Sequence, residues 1–135
     1  MSISDNINHL RDEIAIAAKR ADRTVDDITL VCVTKFASVD QIKEAASCGI
    51  TDFGENRVQS AIEKIGQIQD RPLRWHMVGH LQTNKVRDSV KFFDLIQSVD
   101  SLRLSECINK ECQRQNSQKE IFIQVNTQFA GLKTI

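Results

Sequence analysis

Apolar residues recur at spacings of three, four and seven between positions 5 and 21, at Ile7, Leu10, Ile14, Ala17, Ala18 and Ala21. This periodicity predicts an amphipathic helix over 5–21. Ser4 can cap it, and Asp5 suits the positive end of its dipole. The pattern then changes. Ile28 to Thr34 reads ITLVCVT, too continuously apolar for a one-sided surface strand, and predicts a buried first strand. Ser38-Val-Asp-Gln41 has the spacing of a capping box, which starts a helix at Val39. Ile42, Ala45 and Ala46 give that helix an apolar stripe, and Gly49 is placed to end it. A short strand over Ile50 to Phe53 comes next. Beyond Gly54 a second helix carries Val58, Ala61, Ile62 and Ile65.

Asp70-Arg71-Pro72 is a turn signal that holds the only proline. Leu73 to Val78 predicts the third strand, which Gly79 breaks. A helix around Thr83 to Val90 leads to a fourth strand, Asp94 to Val99. Ser101 can cap the next helix, with Leu104, Ile108 and Cys112 on one side. Gln113 to Lys119 reads as a polar loop, and Ile121 to Val125 as the fifth strand. Strands alternating with helices imply a parallel sheet with right-handed crossovers. Two architectures satisfy that order. One is a self-contained, doubly wound five-stranded sheet, which periodicity favours because it leaves nothing incomplete. The other is the first five units of an eight-stranded barrel, which takes about 250 residues to close.

Composition narrows the class. The 135 residues read as one domain over 1–135. Lys+Arg and Asp+Glu both number 18, so no net basic field exists to recruit nucleic acid or an anionic membrane. Charges run through the first 25 residues, unlike a signal-peptide core, and no apolar run approaches the ~20 residues of a membrane span. A cytoplasmic chain is expected. The four cysteines show no C-x2-C spacing and are expected to be free thiols. His9, His76 and His80 form no metal-ligand pattern, so no metal site is expected, and no G-x-G-x-x-G or P-loop sequence occurs.

Polar residues collect after the predicted strands. Lys35 follows the first; Gly54, Glu55 and Asn56 the second; Gly79, His80 and Gln82 the third. Ser98 and Asp100 follow the fourth, and Asn126 and Thr127 the fifth. Function gathers at the carboxyl ends of parallel strands, although strand ends also turn polar simply by reaching water. Lys35 shares its alternation face with Thr29, Val31 and Val33. A desolvating pocket there would favour the neutral amine, the form that adds to an aldehyde. The plainer reading is a lysine that snorkels into water. Asn56 could bond the ring oxygen of a cofactor or serve a helix start, and His80 could contact a ligand or be structural. Asn84-Lys85-Val86-Arg87 could catch phosphate or form a solvated helix face.

Three segments, LVCVTKF, DFGENRVQ and RWHMVGHLQTNKVR, stand in an order and spacing that resemble the pyridoxal phosphate homeostasis protein family. The resemblance runs from the first helix to about Asn126. It implies the N-terminal five β/α units of a (β/α)8 barrel like the amino-terminal domain of alanine racemase, preceded by a helix. It also implies that pyridoxal 5'-phosphate (PLP) is held as a Schiff base on Lys35, with Asn56 and His80 beside the cofactor. The implied role is PLP homeostasis without turnover of its own, hence no catalytic residue.

After Asn126 the sequence departs from that family, reading TQFAGLKTI to Ile135. The resemblance implies three further strands, which carry the phosphate-binding loop and the partner of the pyridine nitrogen, so the chain looks truncated. Two open sheet edges are expected, with self-association through them or rearrangement towards an open sheet. Two rival classes share this strand–helix alternation. One is a PLP-dependent racemase or decarboxylase of the same fold group; a two-base racemase of that group pairs its lysine with a tyrosine, and the chain has none. The other is a receiver-like or flavodoxin-like binding module; a receiver would show acids after the first strand and an aspartate after the third, where Thr34-Lys35 and Gly79 stand.

Overall fold

The computed structural model describes residues 1–127; the end of the divergent segment, 128–135, lies outside the described residues. The first helix, α1 (Ile3–Arg20), starts two residues earlier than its periodicity suggests. Ser2, not Ser4, is the cap, because the box needs an acid three residues on. The Ser2 hydroxyl accepts from the Asp5 N–H, and the Asp5 carboxylate accepts from the Ser2 N–H at 3.0 Å. The Ser2 side-chain and backbone hydrogen bonds hold the Asp5 carboxyl below its ordinary range.

The remaining elements follow in alternation: β1 (Val31–Val33), α2 (Val39–Ser47), β2 (Asp52–Glu55), α3 (Val58–Gln67) and β3 (Arg74–Met77). A 3-10 turn, Thr83–Lys85, leads into α4 (Val86–Phe92), then β4 (Leu95–Val99), α5 (Leu102–Arg114) and β5 (Glu120–Ile123). The box at Ser38 and Gln41 is present as its spacing predicts. Gly49 ends α2 with φ +84°. The N–H of Gly49 reaches Ala46 O and that of Ile50 reaches Ala45 O, the paired bonds of a Schellman end that needs a left-handed residue. The second strand is displaced from Ile50–Phe53 to Asp52–Glu55, so Gly54 and Glu55 belong to the strand rather than follow it.

All neighbouring strands are parallel, in the order β1-β2-β3-β4-β5. That order overturns the doubly wound sheet which periodicity favours. A doubly wound sheet reverses its strand order and so places helices on both faces. Here every crossover steps the same way, and right-handed crossovers that never reverse lay the helices against one face. Single winding is the barrel's topology.

The register assigns the two faces. Cys32 pairs with Phe53 and Phe53 with Trp75, on the side packed against the helices. Phe53 is fully buried, with its ring centroid 5.7 Å from that of Trp75. Ile42, Met77, Val86, Phe93 and Ile96 complete the middle of this core. The opposite, concave face carries Val31, Val33, Gly54, His76 and Gln97 by alternation. No helix among the described residues covers it, and Val33 is 55% exposed. The first strand is thus apolar on both faces, as predicted, but buried on only one among the described residues. All four cysteines are free, and burial pushes the Cys32 thiol up. No helix among the described residues is long and apolar enough to cross a membrane.

Candidate functional site

Lys35 sits in a tight turn directly after β1 and is exposed. The turn closes where the Ala37 N–H donates to the Thr34 carbonyl at 2.9 Å. The amine lies 5.1 Å from the ring centroid of Phe36, itself 92% exposed, and no acid pairs with it among the described residues. The plainer reading of Lys35, a lysine reaching water, is thus the one observed, and the alternative of a desolvating pocket is absent among the described residues: the concave face on which alternation places the side chain is open.

The backbone that carries Lys35 is tied down firmly. The Thr34 N–H donates to Gly54 O at 2.9 Å. The Thr34 hydroxyl donates to Glu55 Oε1, and Lys64 Nζ donates to both Glu55 Oε1 and the Thr34 carbonyl, each at 2.6 Å. Glu55 is fully buried, and its other oxygen, Oε2, has no hydrogen-bond partner among the described residues.

Asn56 follows β2, and Gly79-His80 follows β3. The two strand ends are locked by the Val78 N–H donating to Glu55 O at 2.9 Å. Behind that bond the chains approach so closely that a Cβ on Gly79 would stand 2.4 Å from Asn56 O and 2.7 Å from Asn56 Cα. Only glycine fits there, for reasons of space rather than of backbone angle. The approach brings Asn56 and His80 into one cleft of about 480 Å³, which Arg57, Leu81, Gln82 and Lys85 also line. Lys35 is not part of that lining; it stands at the neighbouring strand end. Neither Arg57 nor Lys85 pairs with an acid among the described residues, whereas His80 Nδ1 lies 3.9 Å from Asp100.

A second polar group occupies the concave face. His76 is 3% exposed, with Nε2 2.7 Å from Asp52 Oδ1 and Nδ1 2.9 Å from Gln97 Nε2. Thr51 donates to Asp52 at 2.7 Å, and Arg74 bridges towards Asp52 and pairs with Glu120. Asp52 accepts from Nε2–H, so both ring nitrogens are engaged. Alternation along β3 already separates Arg74 and His76 from Trp75 and Met77, a signal that could have assigned His76 to this face. No group of three or more metal-ligating side chains occurs among the described residues.

No family model matches the chain. Individual proteins do. The pyridoxal phosphate homeostasis protein of Escherichia coli K12 is 35% identical over 127 residues, 92% of this chain and 54% of that protein. The protein of the same name from Vibrio alginolyticus is 32% identical over 98% of this chain and 59% of its own length. The chain is a homologue of the pyridoxal phosphate homeostasis proteins. It spans about half the length of these relatives. PipY of Synechococcus elongatus, solved without PLP, superposes with a TM-score of 0.84 at 32% identity, over 95% of this chain and 55% of that one. PipY with PLP bound gives 0.82 at 33% identity, over 94% and 56%. With the strand order, these matches establish the fold as five β/α units of a partial barrel.

Proposed function

We propose that this chain binds pyridoxal 5'-phosphate covalently through Lys35, with Asn56 and His80 beside the cofactor, and serves PLP homeostasis as a carrier without turnover of its own. One observation carries the reading: an exposed amine with no acid partner among the described residues stands at the carboxyl end of β1, where parallel α/β folds gather their chemistry. A homologous structure that holds PLP supports it.

The donor set fits the aldehyde end and ring of such a group. When bound, PLP would supply an aldehyde carbon open to a lysine amine, a condensation that would release one water and require no oxidant or reductant. Lys35 provides the amine. The Asn56 side chain is unbonded among the described residues and can meet a ring oxygen, and the exposed His80 imidazole can donate or stack.

Turnover such as racemisation needs a second base. The chain has no tyrosine, and His76 has both ring nitrogens engaged. Incubation with PLP, borohydride reduction and peptide mapping should place the adduct on the Lys35 peptide, and Lys35→Ala should lose it. An adduct equally abundant in Lys35→Ala overturns the assignment. The same sample given L-alanine should leave its optical rotation unchanged; a falling rotation would favour a racemase.

The edges of the described sheet bear on assembly. β1 and β5 pair on one side only, and Val33, Phe122 and Ile123 are exposed along them at 55%, 57% and 76%. Edges of this kind recruit other chains. The chain self-associates through them, so sedimentation should give a mass above the 15.3 kDa monomer. A compact monomer at all concentrations overturns this.

A further inference from the structure

The buried group around Glu55 is poorly explained by stability. Lys64 is 12% exposed and Glu55 fully buried, and a buried ion pair roughly breaks even against well-packed hydrocarbon. Moreover, Glu55 Oε2 is left without a partner among the described residues, an arrangement that selection for stability alone tends to remove.

What the pair supplies, and hydrocarbon cannot, is direction. Lys64 reaches from α3 to one particular carbonyl, that of Thr34, at 2.6 Å. This carbonyl belongs to the peptide bond joining Thr34 to Lys35. It also accepts from Ala37 N–H, while the Thr34 hydroxyl is held by the Glu55 oxygen that Lys64 contacts. Three elements, the ends of β1 and β2 and the body of α3, therefore converge on the residue before Lys35. Short charge-assisted bonds of this kind fix geometry strongly. The Lys35 side chain is exposed and, among the described residues, its amine has Phe36 beside it and no acid partner, so its direction is set by the backbone it leaves.

We propose that Glu55 and Lys64 are positioning residues for Lys35, holding the Thr34–Lys35 peptide so that the amine leaves β1 in one direction. This rests on the reading of Lys35 as the PLP-bearing lysine. It adds that the amine is preorganised from behind, by groups that never touch the ligand.

The chain contains its own control. Lys91 is exposed, with its amine 5.2 Å from the ring of the adjacent Phe92, much as Lys35 stands over Phe36. The experiment is a brief exposure of the full chain to limiting PLP, a borohydride quench, and the ratio of Lys35 to Lys91 adduct by peptide mass. Wild type should strongly favour Lys35. Glu55→Gln/Lys64→Met, shown folded by circular dichroism, should lower the ratio roughly ten-fold. Lost stability alone leaves that ratio unchanged among folded molecules, so an unchanged ratio overturns the proposal. Should the double variant not fold, Lys64→Arg, which keeps the charge pair but moves the donor off the Thr34 carbonyl, is read the same way. A wild-type ratio near one defeats the assignment of Lys35 itself, and the positioning role with it.

Discussion

Lys64→Met is expected to lower the free energy of unfolding by about 3–5 kcal/mol, measured by urea denaturation at neutral pH. The cause is what remains after the substitution. Glu55 is fully buried, and among the described residues only its Oε1 has partners, Lys64 and the Thr34 hydroxyl. Removing the ammonium leaves a carboxylate with one neutral donor on Oε1 and none on Oε2 among the described residues. The Thr34 carbonyl keeps its bond from Ala37, so the loss centres on the buried charge. A companion variant, Glu55→Leu/Lys64→Met, removes both charges and should recover most of the difference, because an apolar pair of similar volume replaces a buried ion pair at little cost. A loss below about 1 kcal/mol in Lys64→Met, the range of an exposed pair, would mean that the two groups are not coupled as the distances indicate.

The same pair shows where the sequence ceases to be legible. Helix ends were readable when their signal was local: Ser38 with Gln41, Gly49 after Cys48, and Ser101 before Leu102 each work within three or four residues. The error at α1 was of that kind too, since Ser2 with Asp5 satisfies the box and Ser4 does not. The bounds of β2 were harder. Its acids, Asp52 and Glu55, look like loop residues, but each is buried against a partner on another element, His76 and Lys64 respectively. No local periodicity announces such pairing.

Strand order is likewise a long-range property, so alternation could name the α/β class but not decide between single and double winding. At the candidate site, the positions of Lys35, Asn56 and His80 after successive strands were legible from the strand pattern and motifs, whereas the close approach of Gly79 to Asn56 joins two strand ends and was not. The exposure of Lys35 was legible as the plainer of the two readings of that strand end, a lysine reaching water. It follows from the open concave face, which depends on what the rest of the sheet covers.

Gly79→Ala and Gly66→Ala should shift stability in opposite directions, although both add one methyl group. At Gly79 the new Cβ would meet Asn56 O at 2.4 Å and Asn56 Cα at 2.7 Å. These are backbone atoms and cannot rotate aside, so one of the two strand ends has to move against the Val78–Glu55 bond that holds them together. Overpacking of this kind costs about 1–3 kcal/mol. At Gly66, inside α3, nothing lies within 4 Å of the added atom. The change there replaces a poor helix former by a good one and should gain about 0.5–1 kcal/mol. Urea denaturation of the two variants beside wild type checks both signs. The functional consequence is confined to Gly79: displacing Asn56 from the loop that carries His80 opens the cleft the two share. Retention of unreduced PLP should therefore fall in Gly79→Ala and hold in Gly66→Ala. Equal stability and equal retention in Gly79→Ala would mean that the β2 and β3 ends do not need to touch for the site to form.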